Sequence, residues 1–190
     1  MKTSLIVTME LPVKIVKGTL IDIETTGLNP SEDEIVTLGC VIGNKILVIQ
    51  RRVMEEDAYC IELKEKVISK LPEPYYAYNS EFESSFFQEK LGIQAEWVDL
   101  MEPWRGIADR LGFRWPRLIE LVRDPEIYFN LPRITGREVP TIWKAFVKTK
   151  DEELLRLIVK KNMGDLLKEL YLLIVYSYFD EIQKESQDNL

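Results

Sequence analysis

The chain has 190 residues, of which 46% are hydrophobic and 30% are charged, and its formal net charge is -7. This length suits one domain with its own core, so we expect a single domain over residues 1–190. The acidic balance argues against a protein that coats nucleic acid without specificity. No segment is apolar enough to span a membrane, and the N-terminus lacks a signal-peptide pattern, so we expect a cytoplasmic protein. Cys40 and Cys60 are the only cysteines, so we expect no disulfides.

The first part of the chain predicts an antiparallel group of strands. Residues 4–9 and 13–16 alternate weakly and predict a leading strand or hairpin. Three apolar strands follow, at residues 18–24, 33–42 and 45–53. Gly43-Asn44 is a tight turn of the kind that joins antiparallel strands. The strand at 18–24 is therefore expected to open an antiparallel meander.

The next part predicts strands that alternate with helices. Residues 55–71 have helical spacing of apolar positions and end at Pro72. A short aromatic strand at 75–78 leads to a helix that Ser80 is expected to cap, and a further strand covers 97–100. Strand–helix–strand crossovers imply parallel pairing. The predicted fold class is α/β: a mixed five-stranded sheet, antiparallel and then parallel, flanked by helices.

The last part predicts helices and carries an excess of positive charge. Helices are expected at 104–111, 116–122, 139–147 and 152–161, and a last helix from about 163 to 185 is expected to cover the sheet. Residues 101–161 hold thirteen Lys and Arg against nine Asp and Glu. Such a basic face can bind phosphates, although scattered surface arginines are the commoner explanation.

Asp22 and Glu24 lie near the end of the strand predicted at 18–24. Successive side chains of a strand point to opposite faces, so both carboxylates share one face. Like charges this close shift each other's pKa unless a cation lies between them. Because the chain has no histidine and only two cysteines, the natural candidate is a hard divalent cation, Mg²⁺ or Mn²⁺. A solvated acidic strand end is the alternative explanation.

Two further carboxylates stand where helices are predicted to begin. Glu83 follows Asn79 and Phe82, and Phe82 is expected to anchor the helix while Glu83 lies in its first turn, where the helix dipole favours negative charge. Asp165 follows Asn162 near the start of the last predicted helix. Taken alone, each acid is more simply explained as a charge at a helix start than as a ligand.

In this order the motifs resemble those of the DEDD 3′–5′ exonucleases, which have an RNase H-like fold. The first, second and third motifs of that family are similar to Ile21–Leu28, Tyr76–Glu83 and Lys161–Leu166. Features between the motifs, among them Asp99 and Val139–Lys144, fit the YprB-type branch. The resemblance covers about residues 18–175, nearly the whole chain.

The resemblance implies a metal-dependent enzyme that trims single-stranded DNA or RNA from its 3′ end by a two-metal mechanism. The ligands that it implies for two Mg²⁺ or Mn²⁺ ions are Asp22, Glu24, Glu83 and Asp165. Leu28 would wedge near the terminal base. The remaining substrate contacts are implied for Thr25, Thr26, Gly27, Asn79, Phe82 and Asn162.

Two positions depart from the family pattern. Glu83 stands where the family usually has Asp, so an ion would sit differently. Lys160 and Lys161 stand where the family usually has a His or Tyr that prepares the attacking water. A lysine can stabilise negative charge that develops on phosphate, so Lys161 stays a candidate catalytic residue. The alternative is a weakened or inactive module that binds nucleic acid or a helicase, polymerase or other repair protein.

Other features bear on the substrate. Four aromatic residues near the arginines are candidates for stacking on bases: Trp104, Trp115, Tyr128 and Phe129. Core packing is the simpler explanation for most of them. An α/β enzyme for small phosphorylated substrates would predict a Gly-rich loop before a helix, and the sequence has none. The choice between DNA and RNA depends on contacts to the 2′-hydroxyl and does not follow from these motifs.

Overall fold

The computed structural model describes residues 3–12, 14–15, 17–122 and 130–188, with the side chains of the last range described as far as residue 175. Six strands form its sheet: β1 (Ser4–Glu10), β2 (Thr19–Thr25), β3 (Ile35–Ile42), β4 (Lys45–Arg51), β5 (Tyr75–Ala77) and β6 (Trp97–Asp99). Their order is β1-β4-β3-β2-β5-β6. The pairs among β1 to β4 are antiparallel, and β2, β5 and β6 run parallel. The predicted mixed sheet is confirmed.

The sheet has six strands rather than five because the leading strand joins it. β1 pairs with β4 along its whole length, from Ser4 opposite Arg51 to Glu10 opposite Lys45. Its side chains alternate between half-buried and exposed, as expected of an edge strand with one covered face. The weak alternation at residues 4–9 therefore correctly predicts a strand. Of the second predicted segment, 13–16, residues 13 and 16 lie outside the described residues.

In the part of the chain that the structure describes, six helices surround the sheet: α1 (Glu56–Glu62), α2 (Glu81–Phe86), α3 (Glu102–Leu111), α4 (Leu118–Leu121), α5 (Val139–Thr149) and α6 (Glu152–Asp188). α1 and α2 each continue into a π-helical turn, at Leu63–Val67 and Phe87–Leu91, and a 3₁₀ turn at Ile68–Lys70 follows the first of these. Ser80 holds the N-cap position of α2 but makes no side-chain capping bond, so the predicted cap is wrong in that respect. None of the helices in the described ranges has the length and apolar content that a membrane crossing needs.

α6 is one continuous helix where the sequence predicted two, at 152–161 and from about 163. Gly164 lies inside it, although an internal glycine costs a helix about 1 kcal/mol relative to alanine. The helix continues because one face stays buried against the rest of the molecule on both sides of Gly164, through Leu155, Val159, Leu166 and Leu170. Packing against the sheet thus outweighs the local preference to stop.

The sheet is covered on both faces. On one face, Ile21 and Ile23 of β2 belong to an apolar cluster with Tyr59 of α1 and Phe86 of α2. On the other face, strand residues pack against α6 in a second cluster that includes Leu20, Val41, Val48, Val159, Leu166 and Leu170. A third cluster joins α5 to the start of α6. β2 is buried along its full length, so polar side chains on it are enclosed as well.

Candidate active site

Asp22 and Glu24 project from β2 on the face that α6 covers. Asp22 lies opposite Gly39 of β3, and Glu24 lies opposite Thr37. Both carboxylates are buried, with 8% and 3% of their surface exposed. The neighbours on the other face, Ile21 and Ile23, lie in the apolar cluster with α1 and α2. The predicted division of the strand into an apolar and an acidic face is therefore present.

Asp165 of α6 completes a group of three carboxylates. One oxygen from each of Asp22, Glu24 and Asp165 lies within 4.8 Å of the other two. Glu83, in the first turn of α2, is outside this group, although it is 3% exposed and close enough to raise the pKa of Asp22. The fold thus brings together three of the four acids predicted from the motifs and places the fourth beside them.

Lys161 lies between two of these carboxylates. Its Nζ is 2.7 Å from Oε1 of Glu24 and 2.8 Å from Oδ2 of Asp165. The other oxygen of Asp165, Oδ1, accepts a hydrogen bond of 2.9 Å from Lys168. Charge-assisted bonds of this length are strong in a buried site. The sequence predicts a cation close to the carboxylates of the site. In the structure, the ammonium group of Lys161 lies between Glu24 and Asp165.

Asn162 holds Asp22 in place. Its Nδ2 donates to Oδ2 of Asp22 at 2.7 Å and to the Asp22 carbonyl at 3.1 Å. The side chain is fully buried against Gly39, where an added Cβ would come within 1.9 Å of Asn162 Oδ1. A glycine is therefore required on β3 at this point so that α6 can approach β2. Asn162 thus fixes the position of Asp22, and its predicted contact with substrate stays a prediction.

The pKa values show how strongly the site needs positive charge. Burial raises the pKa of Glu83 to about 8 and that of Glu24 to about 7, the latter against the opposing effect of Lys161. Burial and then Glu24 raise the pKa of Asp22 well above its ordinary value. Burial acts in the same direction on Asp165, but Lys161 and Lys168 outweigh it and hold its pKa below the ordinary value. A nearby cation strongly stabilises the charged form of carboxylates in such surroundings.

The turn after β2 is held by its own side chains. Thr25 Oγ1 donates to the carbonyl of Gly27, and Thr26 Oγ1 accepts from the backbone N–H of Glu34 at 2.9 Å. Gly27 packs against Asp33, which also accepts from the N–H of Asn29 at 2.9 Å. Leu28 is 84% exposed. The turn is thus a fixed platform next to Glu24 that presents one apolar side chain to solvent.

The residues of the second motif shape the strand-to-helix turn, and the substrate contacts predicted for Asn79 and Phe82 stay predictions. Asn79 has a positive φ of 68°, and its N–H donates to Asp99 Oδ1 at 2.9 Å. Asp99 also accepts from Arg105 Nη2 at 2.6 Å. Phe82 packs on Phe86 with ring centroids 5.0 Å apart, which is the anchoring role expected of it. These contacts fix the start of α2 and hence Glu83.

The proposed stacking residues divide into two kinds. Trp104 is half-buried in α3, whereas Trp115 is 49% exposed and lies under the Arg105 guanidinium at 4.6 Å. Tyr128 and Phe129 lie outside the described residues. Several basic side chains in this region are paired locally, as Arg114 and Arg117 both contact Glu120. The described part of the basic segment is therefore partly neutralised by its own acids.

Glu169 and Lys168, which interrupt an apolar run in the sequence, were not among the predicted site residues. Glu169 is 2% exposed, and Asp22, Glu83 and Asp165 all act to raise its pKa after burial itself. Its Oε1 accepts from the N–H of Tyr78 at 3.3 Å. The missed signal was helical spacing, because positions 161, 162, 165, 168 and 169 fall on one face of α6.

The donor set fits a divalent cation. All the groups are carboxylates, which Mg²⁺ and Mn²⁺ prefer, and they come from three different elements. Glu83 Oε2 and Glu169 Oε2 are buried and have no hydrogen-bond partner among the residues that the structure describes. Buried carboxylate oxygens without partners are costly, and coordination to an ion would satisfy them.

Comparison with known proteins places the chain in a family. The RNase_H_2 model of the RNase_H superfamily matches residues 19–176. The chain belongs to this family. The match confirms the RNase H-like assignment that the motifs predict, and the buried acidic cluster fits a hydrolase.

Individual proteins also match. An uncharacterized protein of Methanocaldococcus jannaschii is 28% identical over 170 residues, which cover 82% of this chain and 94% of that protein. The structure of Brucella melitensis NrnC with bound Mg²⁺ has a TM-score of 0.49 and 14% identity, over 94% of this chain and 81% of that one. A structure described as the apo form of the nuclease has a TM-score of 0.46 and 13% identity, over 85% and 70% of the two chains.

Proposed function

We propose that this chain is a DEDD-type 3′–5′ exonuclease that hydrolyses phosphodiester bonds of single-stranded DNA or RNA with a divalent metal. The observation that carries the proposal is the group of Asp22, Glu24 and Asp165, whose oxygens lie within 4.8 Å of one another in an enclosed site. The 3′–5′ direction comes from the order of the motifs alone. The resemblance implies two Mg²⁺ or Mn²⁺ ions, and this number stays a prediction.

The residues present divide the work of such a reaction. Asp22 and Asp165, with Glu24, Glu83 and Glu169 around them, would hold the metal. A bound Mg²⁺ or Mn²⁺ supplies Lewis acidity toward phosphate oxygens and lowers the pKa of water. Lys161 offers a fixed positive charge beside the same carboxylates, where it can stabilise negative charge on a phosphate.

The turn after β2 would receive the terminal nucleotide. Thr25 and Thr26 present a rigid backbone beside Glu24, and the exposed Leu28 can contact a base. Trp115 with Arg105 offers a second place where a base or a phosphate could bind. A single strand suits this arrangement because its bases are free to leave the stack and meet side chains.

The second candidate function is a catalytically weak or inactive module that binds nucleic acid or a protein of repair. The contacts of Lys161 favour it, since this ammonium already binds Glu24 and Asp165. A cytoplasmic location and a helicase, polymerase or other repair protein as partner stay predictions with either function.

The test is cleavage of end-labelled single strands. The purified chain is incubated with DNA and with RNA of one sequence, labelled at the 5′ end, in Mg²⁺, in Mn²⁺ or in EDTA. We expect a ladder that shortens from the 3′ end with metal and stops in EDTA, and the more rapidly shortened strand identifies the substrate. Binding of the strand without any shortening in either metal would support the second candidate function.

A further inference from the structure

Helix α5 and the turn before it carry several cations that have no acidic partner among the described residues. Residues 130–150 hold five Lys and Arg, and their one acid, Glu138, accepts hydrogen bonds from the turn itself. Arg137, Lys144 and Lys148, which we call the basic stripe, are exposed and pair with no acid in the described part of the chain. Because the whole chain has a net charge of -7, a group of unpaired cations on its surface indicates an anionic partner.

The two lysines of the basic stripe lie on the solvent face of α5. The opposite face of the helix is buried against the start of α6 through Val139, Trp143 and Phe146. Lys144 and Lys148 are four residues apart, so their backbones are separated by about 6 Å along the helix axis. This is close to the separation of neighbouring phosphates in a single strand. The 11 residues of α5 extend over about 16 Å, which accommodates about three phosphates.

The basic stripe begins beside the acidic site. Gly136 lies in the turn before α5, and a Cβ added to it would lie 4.0 Å from Nζ of Lys161. The same Nζ contacts Glu24 and Asp165. Arg137 follows Gly136 directly, and the helix then leads away from this point. A strand whose end reaches the carboxylates can therefore continue along α5.

The surroundings of the basic stripe favour a phosphate backbone over an acidic protein. Protein interfaces usually have an apolar centre, but none of the exposed large apolar side chains of the described residues lies between 133 and 150. Phosphate contacts need no apolar surface, because the release of counterions from the strand supplies affinity. Arg105, Arg114 and Arg117 are less suited to this role, since each already contacts an acid.

We propose that the basic stripe binds the sugar–phosphate backbone of a single strand, on the 5′ side of the nucleotide that lies in the acidic site. The placement of the 3′ end in this site rests on the proposed function, whereas the phosphate contacts rest on the charges and positions of α5. The substrate class is therefore a strand of several nucleotides, because a dinucleotide is too short to reach Lys148 from the carboxylates.

The stripe variant combines Lys144→Gln with Lys148→Gln. The control variant combines Lys64→Gln with Lys70→Gln, which removes the same charge from two exposed lysines beside the apolar cluster on the opposite face of the sheet. Lys144→Arg with Lys148→Arg keeps the charge of the stripe. Thermal unfolding establishes that all three variants are folded.

Binding is measured by fluorescence anisotropy with the full chain and strands of about 12 nucleotides, one of DNA and one of RNA, labelled with fluorescein at the 5′ end. The Ca²⁺ concentration is fixed and the monovalent salt is varied. For the more tightly bound strand, we expect the stripe variant to bind about 10–30-fold more weakly at about 0.1 M salt, and the slope of log K against log salt to be shallower by about 1.4, because each phosphate contact of a single strand contributes about 0.7. The control variant and the arginine variant should bind within about twofold of the wild type.

Uncharged linkages in the strand test which phosphates the basic stripe contacts. Methylphosphonates replace either the second to fourth linkages from the 3′ end or the same number of linkages at the 5′ end. We expect the replacement near the 3′ end to weaken binding to the wild type more than the replacement at the 5′ end does. It should have little additional effect on the stripe variant, because the interaction that it removes is already absent there.

The outcomes separate this inference from the proposed function. Equal binding by the stripe variant and the control variant would overturn the inference, even for a chain that shortens the strand. Equal effects of the two replacements on the wild type, or no binding of either strand, would overturn it as well. The expected pattern of binding without any shortening in Mg²⁺ or Mn²⁺ would support the inference and refute the nuclease.

Discussion

The two faces of β2 place neighbouring side chains in opposite surroundings. Ile21 and Ile23 pack among apolar residues of α1 and α2, where burial itself is favourable. Asp22 and Glu24 are buried to the same degree against α6, where burial raises their pKa values and hydrogen bonds must offset it. The apolar face therefore stabilises the fold, whereas burial of the charged groups on the acidic face reduces its stability. Substitutions on the two faces should separate these contributions.

The largest expected effect is that of Asp22→Asn on cleavage. The amide keeps the shape and can still contact Asn162, but it loses the charge that would hold a metal. We expect the cleavage rate to fall by more than about a hundredfold. Because repulsion from Glu24 is removed, we expect the melting temperature to stay the same or rise. Initial rates and thermal unfolding measure both, and an unchanged rate would exclude Asp22 from the site.

Ile21→Ala is expected to lower the stability of the fold and to leave the cleavage rate nearly unchanged. Its side chain is fully buried in the cluster with α1 and α2, and the truncation leaves a cavity there. We expect the free energy of unfolding to fall by about 2–5 kcal/mol. The rate per folded molecule should stay within about twofold, because no group of the acidic face changes. Urea denaturation and the rate at low temperature give the two numbers. A specific loss of rate at full stability would contradict the division of the faces.

Gly39→Ala tests the contact between the acidic face and α6. The added Cβ would lie 1.9 Å from Asn162 Oδ1, so α6 or Asn162 must move away from Asp22. We expect a loss of about 1–3 kcal/mol in the free energy of unfolding, and a lower cleavage rate. Gly106→Ala in α3 is the matched control, because no atom lies within 4 Å of its added Cβ. If the two variants showed the same change in the free energy of unfolding and in the cleavage rate, the role of Gly39 would be refuted.

Leu28→Ala is expected to have the smallest effect. The side chain is 84% exposed, so we expect the free energy of unfolding to change by less than about 0.5 kcal/mol. If Leu28 contacts a terminal base, KM should rise by about threefold to tenfold while kcat changes little. Steady-state kinetics on a short single strand measure this. An unchanged KM would remove Leu28 from the substrate contacts.

The sequence predicts the acidic face of β2 well because strand alternation is a local rule that few neighbours disturb. It also predicts Asp165, through its place in a motif. The continuity of α6 was not predictable, since packing on both sides of Gly164 decides it and that packing involves distant strands. Glu169 was missed because a charged residue within an apolar run usually faces solvent. Only the packing of α6 in the folded chain shows that Glu169 is enclosed.

The contacts of Lys161 also could not be predicted from the sequence. The sequence shows a lysine where a His or Tyr is usual, which leaves open whether its charge meets solvent, substrate or acid. The answer depends on the distance between α6 and β2, and the contact with Gly39 allows that distance to be short. A motif therefore identifies the residues of such a site, whereas the packing of glycine against Asn162 determines their contacts.

The most direct test of the central claim is a crystal structure of the full chain grown with Mn²⁺, with anomalous data collected at the manganese edge. The account predicts an anomalous peak against Asp22 on the acidic face of β2, at a metal–oxygen distance of about 2.0–2.2 Å. The absence of a peak there, with Mn²⁺ bound only at the surface or not at all, would contradict a metal-dependent site on this face.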